Sequence, residues 1–308
     1  MTSASQPKVS VVILNWNAKD ILRECIKSVK ESFYPIHEVI VVDNASNDGS
    51  VAMIERDFGD VVIIENAANF GAPKGRNIGI NRAIREDVKY VYTLDNDLII
   101  EPRTISELVT LMENRPEVAC AGSLIYYHDK PGVVFSAGQY INWTQNLVTT
   151  RGAGETDKGQ LAECGEVDYV GTGAMLTRKN VFMQIGLLDV GFIGYGYEDT
   201  DFGLRVKRAG HKVVCYTRSK VWHRPFTGIG KYSFKKKYLE ARNAVRFVRM
   251  YGNRRNKLKF MFFAIAGLFY AAVREGARGN IMGVFGKAKG LYDGVRGRED
   301  FAESLLKN

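Results

Sequence analysis

VYTLDNDLII, residues 91–100, places Asp95, Asn96 and Asp97 directly after an apolar run and directly before another. The VYTL half reads as a buried strand. An unpaired buried charge costs roughly several kcal/mol even after relaxation. Two carboxylates at that position therefore require something positive, supplied by the protein or by a ligand. Side chains i and i+2 of a strand share one side, so at a strand end Asp95 and Asp97 can converge on one point. Hard oxygen donors of this kind suit Mg2+ or Mn2+, with substrate phosphates completing the shell. The plainer reading is a solvated turn that happens to carry two acids.

Outward from this stretch the chain alternates strands and helices. Strands are expected at residues 9–14 (VSVVIL), 39–42 (VIVV), 61–64 (VVII) and 90–94, and helices at 20–30, 50–58 and 75–84. Continuous β-branched runs suit strands buried on both faces, and repeated strand–helix–strand units imply an α/β fold with a mainly parallel central sheet flanked by helices. Such sheets bind ligands beyond the carboxyl ends of their strands. Asn15, Trp16 and Asn17, then Asp43, then Asp95 to Asp97 should accordingly share one rim. After residue 116 the pattern shortens: strands at 118–123, 133–137 and 167–176, a loop at 151–165, and helices at 178–185 and 199–209. Helical patterns dominate from Tyr232 onward. The expected division is an α/β domain over residues 1–230 and a basic helical C-terminal appendage over 231–308.

Further motifs converge on anionic ligands. NFGAPKGRNIG (residues 69–79) is a Gly-rich turn before a helix; its backbone amides attract phosphate, and Lys74 and Arg76 add charge. It could equally be an ordinary loop with solvated basic residues. DNASNDGS (residues 43–50) fails the calcium-loop pattern, since Ala45 and Asp48 occupy the wrong positions. Asp48 or Ser50 is a candidate helix cap, whereas Asp43 ends a strand and can accept hydrogen bonds from a nucleobase or ribose. GTGAML (residues 171–176) lacks the third glycine of a dinucleotide fingerprint; its glycines let a substrate approach the backbone. GYGYEDTDFGLRVKRAG (residues 194–210) crowds Glu198, Asp199 and Asp201 into the first turn of a helix. The dipole stabilises acids there, and acids behind a Gly-rich loop also suit a general base at a cleft edge. His223, in VWHRPF, is either a structural histidine or a metal or phosphate contact.

The chain has 308 residues, of which 45% are hydrophobic and 25% charged, so it is globular; its formal net charge is +9. That balance fits nucleic acid, an anionic membrane surface or a phosphorylated substrate. Cys25, Cys120, Cys164 and Cys215 form no C-x-x-C pair, so neither zinc nor a disulfide framework is signalled. MTSASQPK lacks the apolar core of a signal peptide, and a cytoplasmic location is expected. The apolar stretch 260–273, flanked by Lys259 and Arg274, falls short of the roughly 20 residues that span a bilayer. Its aromatic content and basic flanks suit either an interfacial helix on an anionic membrane or packing against the α/β domain or a second copy in a homodimer.

In order along the chain, VVILNWN (11–17), VVDNASNDG (41–49), residues 69–79, LDND (94–97), residues 171–176, YEDTDFGLR (197–205) and Trp222-His223 resemble a family 2 glycosyltransferase of the GT-A type. The resemblance covers roughly residues 8–250. ARNAVRF (241–247) and the basic tail resemble the branch containing bacterial rhamnosyltransferases and related polysaccharide enzymes. The resemblance implies inverting transfer from a nucleotide-diphosphate sugar, such as dTDP-rhamnose or a UDP-sugar, to a glycan or lipid-linked acceptor. It assigns Asp43, with Asn15, Asn17, Asn69, Gly71, Lys74, Arg76, Asn77 and Asn96, to the donor side. Asp95 goes to ribose and, with Asp97 and His223, to metal and diphosphate. Asp199 is implied as general base, with Gly173, Glu198 and Asp201 on the acceptor side.

Two other classes remain. A sugar-phosphate nucleotidyltransferase would carry a Gly-rich basic loop after the first strand, where this chain has Asn15-Trp16-Asn17. A non-enzymatic basic surface-binding protein would use the tail alone; because acids line the rim, nucleic acid is not an expected partner.

Overall fold

The computed structural model describes residues 6–143, 147–194, 196–224, 233–278 and 281–306. The first part runs β1 (Val9–Asn15), α1 (Lys19–Lys30), β2 (Glu38–Asp43), α2 (Ser50–Asp57), β3 (Val62–Glu65), α3 (Gly71–Ala83), β4 (Tyr90–Asp95). β1 pairs in parallel with both β2 and β4, and β2 with β3. The order β4-β1-β2-β3 puts a switch point between β1 and β4, where the crossovers diverge and a crevice opens. The β-branched run of β1 explains its central position. Val9, Val11 and Ile13 point into a core that contains Leu22, Ile26 and Val29 of α1, and Val12 points to the other face, where Ile80 and Ala83 of α3 pack.

The Gly-rich stretch is helical rather than a turn before a helix: α3 begins at Gly71, four residues earlier than expected. A Cβ on Gly75 would meet Leu14 at 2.7 Å and one on Gly79 would meet Val12 at 2.4 Å. Those two glycines let the helix lie directly on β1.

After β5 (Leu98–Ile100) comes α4 (Thr104–Asn114), a helix that the sequence reading passed over. Its Ile105, Leu108, Val109 and Met112 have ordinary helical spacing and are buried. The sheet continues with β6 (Val118–Tyr127), β7 (Val134–Ser136), β10 (Cys164–Val167), β11 (Ala174–Arg178) and β12 (Lys212–His223), while β8 (Gln139–Ile141) and β9 (Val148–Thr150) form a separate hairpin. The single strand expected over 167–176 is instead the end of β10 and the start of β11. Between them the chain turns through Gly171 and Gly173, and β11 then runs antiparallel to β4 and β6. Helices α5 (Lys179–Ile185) and α6 (Glu198–Arg208) complete this part.

The C-terminal helices are α7 (Phe234–Tyr251), α8 (Arg254–Gly276), α9 (Ile281–Arg296) and α10 (Asp300–Ser304). The expected boundary at residues 230 and 231 lies outside the described residues, as does Tyr232. Helix α7 shares a buried cluster with the α/β part, in which Phe247 and Val248 pack with Phe192 and Leu147. The expectation drawn from the apolar stretch 260–273 needs correction. Basic residues, which are good helix formers, extend that run on its N-terminal side, and α8 reaches 23 residues, about 34 Å. By length and composition alone it is long and apolar enough to cross a membrane. One face, with Phe260, Ala264, Ala271 and Glu275, is nonetheless buried within the protein.

Candidate active site

Parallel pairing fixes the rim. The register sets Asn15 beside Asp43 and Leu14 beside Asp95, so the polar ends of β1, β2 and β4 meet at one edge. They are joined by side-chain hydrogen bonds. Asn96 Nδ2 donates to Asn15 Oδ1 at 2.7 Å, and Asn15 Nδ2 donates to Asp43 Oδ2 at 2.8 Å. Asp43 is 1% exposed, and its other oxygen accepts from the Ser46 amide at 2.7 Å. Its carboxylate therefore shapes the rim from below instead of facing the cleft. Asn17 likewise holds the neighbouring loop, accepting from the Asn47 amide at 2.8 Å.

Above the rim is a cleft of about 460 Å³, lined among others by Asn69, Gly71, Gly173 and His223. The two acids of the opening stretch have different surroundings. Asp95 ends β4 and pairs with Arg76 of α3, whose guanidinium also donates to Thr172 Oγ1 at 3.0 Å. Arg76 is 3% exposed. Gly173 is required by this pair, since a Cβ there would lie 2.2 Å from Asp95 Oδ2. The close approach that the glycine permits is thus to Asp95. Asp97 is not on the strand at all. It sits in the tight turn between β4 and β5, and β5 pairs with β12 so that Leu98 faces His223. That register brings His223 Nε2 to 3.1 Å from Asp97 Oδ2. Arg76 supplies the positive partner of Asp95, while Asp97 is met by the His223 ring and no fixed positive charge. With an oxygen engaged by Arg76, Asp95 leaves Asp97 and His223 as the pair placed to hold a cation. Among the described residues no group of three His, Cys, Asp or Glu side chains converges on one point. A cation there would draw its remaining ligands from substrate and water, as Mg2+ commonly does. Adjacent donors in an octahedral shell lie about 3 Å apart, which the Asp97–His223 separation fits.

The acids at the start of α6 also part company. Tyr197 precedes the helix in the left-handed region, with φ 72°, and its ring stacks on Phe247 of α7 at 5.9 Å. This non-glycine conformation turns Glu198 and Asp199 into the cleft. Glu198 is 5% exposed, its Oε2 has no partner among the described residues, and burial together with the neighbouring Asp199 charge raises its pKa to about 8. Asp199 is half-buried, and burial raises its pKa to about 6 against the pull of the Thr200 amide and Arg76. Glu198 is then neutral near pH 7 and Asp199 is an ionised base close to its titration point, which is the useful range for proton transfer. Asp201 belongs elsewhere: fully buried, it binds Arg205 and the Tyr251 hydroxyl and does not reach the cleft.

Two further residues expected on the donor side lie off it. Asn77 clamps Leu188, donating to its carbonyl at 2.8 Å and accepting from its amide at 3.1 Å. Lys74 is exposed, with its ammonium 4.2 Å from the Phe70 ring centre. Sequence reasoning missed Thr172, which anchors Arg76, and Tyr197, which sets the angle of α6. The only sequence signal for Tyr197 is the Gly-rich run that precedes it.

A mainly parallel sheet with its cleft at the β1/β4 switch point, an acid-bearing β4 turn and a helix-borne carboxylate facing it define a GT-A glycosyltransferase architecture. The profile of glycosyl transferase family 2 matches residues 10–186, more than half of the chain, and the chain belongs to that family. A second profile, the N-terminal domain of galactosyltransferase, matches residues 165–227. Solved structures agree in fold. GalNAc-T7 with UDP, GalNAc and Mn2+ superposes at a TM-score of 0.64 and 16% identity, over 98% of this chain and 58% of that one. The mannosyltransferase PcManGT from Pyrobaculum calidifontis, in complex with GDP-Man and Mn2+, gives 0.56 and 15%, over 98% and 79%. Among relatives by sequence, the uncharacterized protein y4gI of Sinorhizobium fredii is 26% identical over 70% of this chain and 24% of its own length. The O-antigen biosynthesis protein RfbC of Myxococcus xanthus is 25% identical over 70% and 17%. The chain thus spans about a quarter or less of those two proteins. The putative teichuronic acid biosynthesis glycosyltransferase TuaG of Bacillus subtilis is 26% identical over 63% of this chain and 77% of its own.

Proposed function

We propose that the protein is an inverting glycosyltransferase of cell-surface polysaccharide synthesis. It moves a sugar from a nucleotide diphosphate, a UDP-sugar or dTDP-rhamnose, to a hydroxyl of a glycan or lipid-linked acceptor. The observation that carries this reading is Asp199, a carboxylate with a pKa raised to about 6 in the same cleft as the Asp97–His223 pair. The acceptor oxygen attacks the anomeric carbon from the face opposite the diphosphate while Asp199 takes its proton. As the new C–O bond forms, the bond to the diphosphate oxygen breaks, and its electron pair leaves with the nucleotide. Glu198, neutral, sits beside the base without adding a second charge. Asp97 and His223 would hold Mg2+ or Mn2+, which supplies positive charge for the departing diphosphate. The Mn2+ in both structural neighbours supports a divalent ion. We place the protein in the cytoplasm, attached peripherally to the membrane through α8 and α9.

The test is a pair of variants. Asp97→Asn is expected to abolish metal-dependent binding of nucleotide sugars with the fold intact, because it removes a hard anionic ligand. Asp199→Asn is expected to keep donor binding and lose about 10²–10⁴-fold in transfer rate. Unchanged nucleotide affinity in Asp97→Asn with Mn2+ present, or undiminished transfer in Asp199→Asn, would sink the reading.

A further inference from the structure

A second cavity, of about 520 Å³, shares Asp199 with the donor cleft. Most of its wall comes from α7, α8 and α9, beyond the residues matched by either family profile. A molecule bound there stands beside the carboxylate that the proposed mechanism uses as base, so the two cavities place two substrates on one proton acceptor.

The chemistry of the wall narrows what that molecule is. Three cations line it: Lys237, Arg274 and Lys287. Its one acid on α7, Glu240, is engaged by Lys237 at 2.7 Å, and Arg274 is engaged by Glu275 at 2.7 Å. Lys287 is half-buried, and among the described residues its ammonium has no hydrogen bond or ion pair. Burial, with Lys237 and then Arg274 as like-charged neighbours, lowers its pKa against the pull of Glu240. A cation held in that way is stabilised by an anionic ligand. Thr200 and the rings of Tyr169 and Tyr197 line it beside Asp199, and Phe260, Ala264, Gly267 and Ala271 form an apolar stripe of α8 in the opposite wall.

The outer stripe of the same helix is also apolar. Leu258, Phe262, Ile265, Phe269 and Val273 recur at helical spacing and are 50–76% exposed, and Phe285 of α9 is 59% exposed. An apolar path outside the protein therefore runs along the helix that walls the cavity. Interfacial helices have this composition, with basic residues at their ends.

We infer that this cavity receives the acceptor and that the acceptor is a phosphate-bearing lipid. Its phosphate lies against Lys287 and Arg274, its hydrocarbon follows α8, and its sugar hydroxyl reaches Asp199. The inference deepens the glycosyltransferase reading and rests on it for the role of Asp199.

The experiment is calorimetric titration of the full chain in EDTA, which suppresses metal-dependent diphosphate capture at the donor cleft. Farnesyl phosphate, inorganic phosphate and farnesol are compared at equal concentration below micelle formation. Farnesyl phosphate is expected to bind at least about ten-fold more tightly than either fragment. Lys287→Gln and, independently, the cavity-filling Ala271→Phe are expected to weaken it about ten-fold. Mn2+-dependent thermal stabilisation by nucleotide sugars is expected to persist in both variants, which also checks that they fold. Farnesyl phosphate binding that is unchanged in both variants overturns the site. Inorganic phosphate binding as tightly as farnesyl phosphate overturns the lipid. Absence of any nucleotide-sugar response in the wild type overturns the donor reading separately, and the farnesyl phosphate comparison still decides the cavity.

Discussion

The Arg76–Asp95 pair makes an asymmetric prediction. The Arg76 side chain is 4% exposed, whereas that of Asp95 is 43% exposed and opens on the cleft. Removing one partner of a buried ion pair costs about 3–5 kcal/mol because the other charge is left uncompensated. In Asp95→Ala the charge left behind is the buried guanidinium, which keeps the Thr172 Oγ1 hydrogen bond and the charge of Asp199 but whose Nε has no partner among the described residues. The full ~3–5 kcal/mol is expected there. In Arg76→Met the charge left behind faces solvent, and the cost should be nearer ~1–3 kcal/mol. Equilibrium urea unfolding at pH 7 without metal measures both. Arg76 also holds the Asp199 pKa down, so Arg76→Met should raise it and move the acid limb of the transfer-rate profile upward from about pH 6. Equal stability costs, or Arg76→Met the costlier by more than ~1 kcal/mol, would refute the burial argument. An unmoved acid limb would refute the electrostatic link to Asp199.

Glu198→Gln removes an acid whose folded pKa is raised to about 8. The wild type should lose more stability than the variant as pH rises from about 5 to 8, because of the two acids only Asp199 still titrates there in the variant, a divergence on the order of 1–3 kcal/mol in thermal or urea unfolding; parallel pH curves would contradict the burial of that carboxyl. Gly173→Ala places a Cβ where Asp95 Oδ2 now lies; it should displace Asp95 from Arg76 and destabilise the fold by about 1–3 kcal/mol, and a neutral result would show that the contact is not required. The intact protein should float with anionic liposomes at low salt and be released at high salt, whereas failure to float together with a stable dimer in solution would assign the apolar stripes of α8 and α9 to a second copy.

The parallel sheet was legible because its strands are continuous β-branched runs, and the rim followed once those strands were assumed parallel. Asp95, Asp97, Asp199 and His223 were named from motif type. Their division of labour was not legible, because it depends on long-range register. Nothing in LDND shows that Asp97 lies in a turn whose next strand pairs with β12, or that a guanidinium from α3 occupies Asp95. Asp43, Asn77 and Asp201 look functional in sequence for the same reason that they are useful structurally. Buried polar side chains that satisfy backbone or charged groups are of the same residue types as those that bind ligands. Helix α4 was missed despite a regular apolar pattern, and α8 was judged by the length of its apolar run although the helix extends through its basic flank.

Charge is unevenly divided along the chain. Residues 231–308 contain 18 Lys and Arg against 6 Asp and Glu, a net +12, so residues 1–230 carry −3 of the total of +9. The acidic part supplies most of the donor cleft, to which the basic part adds Lys235, and the Asp97–His223 pair is placed to retain a cation there. The basic part walls the second cavity and needs no metal to attract an anion, since Lys287 and Arg274 are already there. A single ligand class would not call for both devices. Two anionic substrates, one captured through a metal and one by side-chain cations, would each be held off the other's site by this separation of sign, and Asp199 lies where the two sites meet. On the acceptor proposal, the apolar stripes on α8 would add direction: a lipid-borne acceptor would reach Asp199 along the helices, and the donor would reach it from the rim of the sheet.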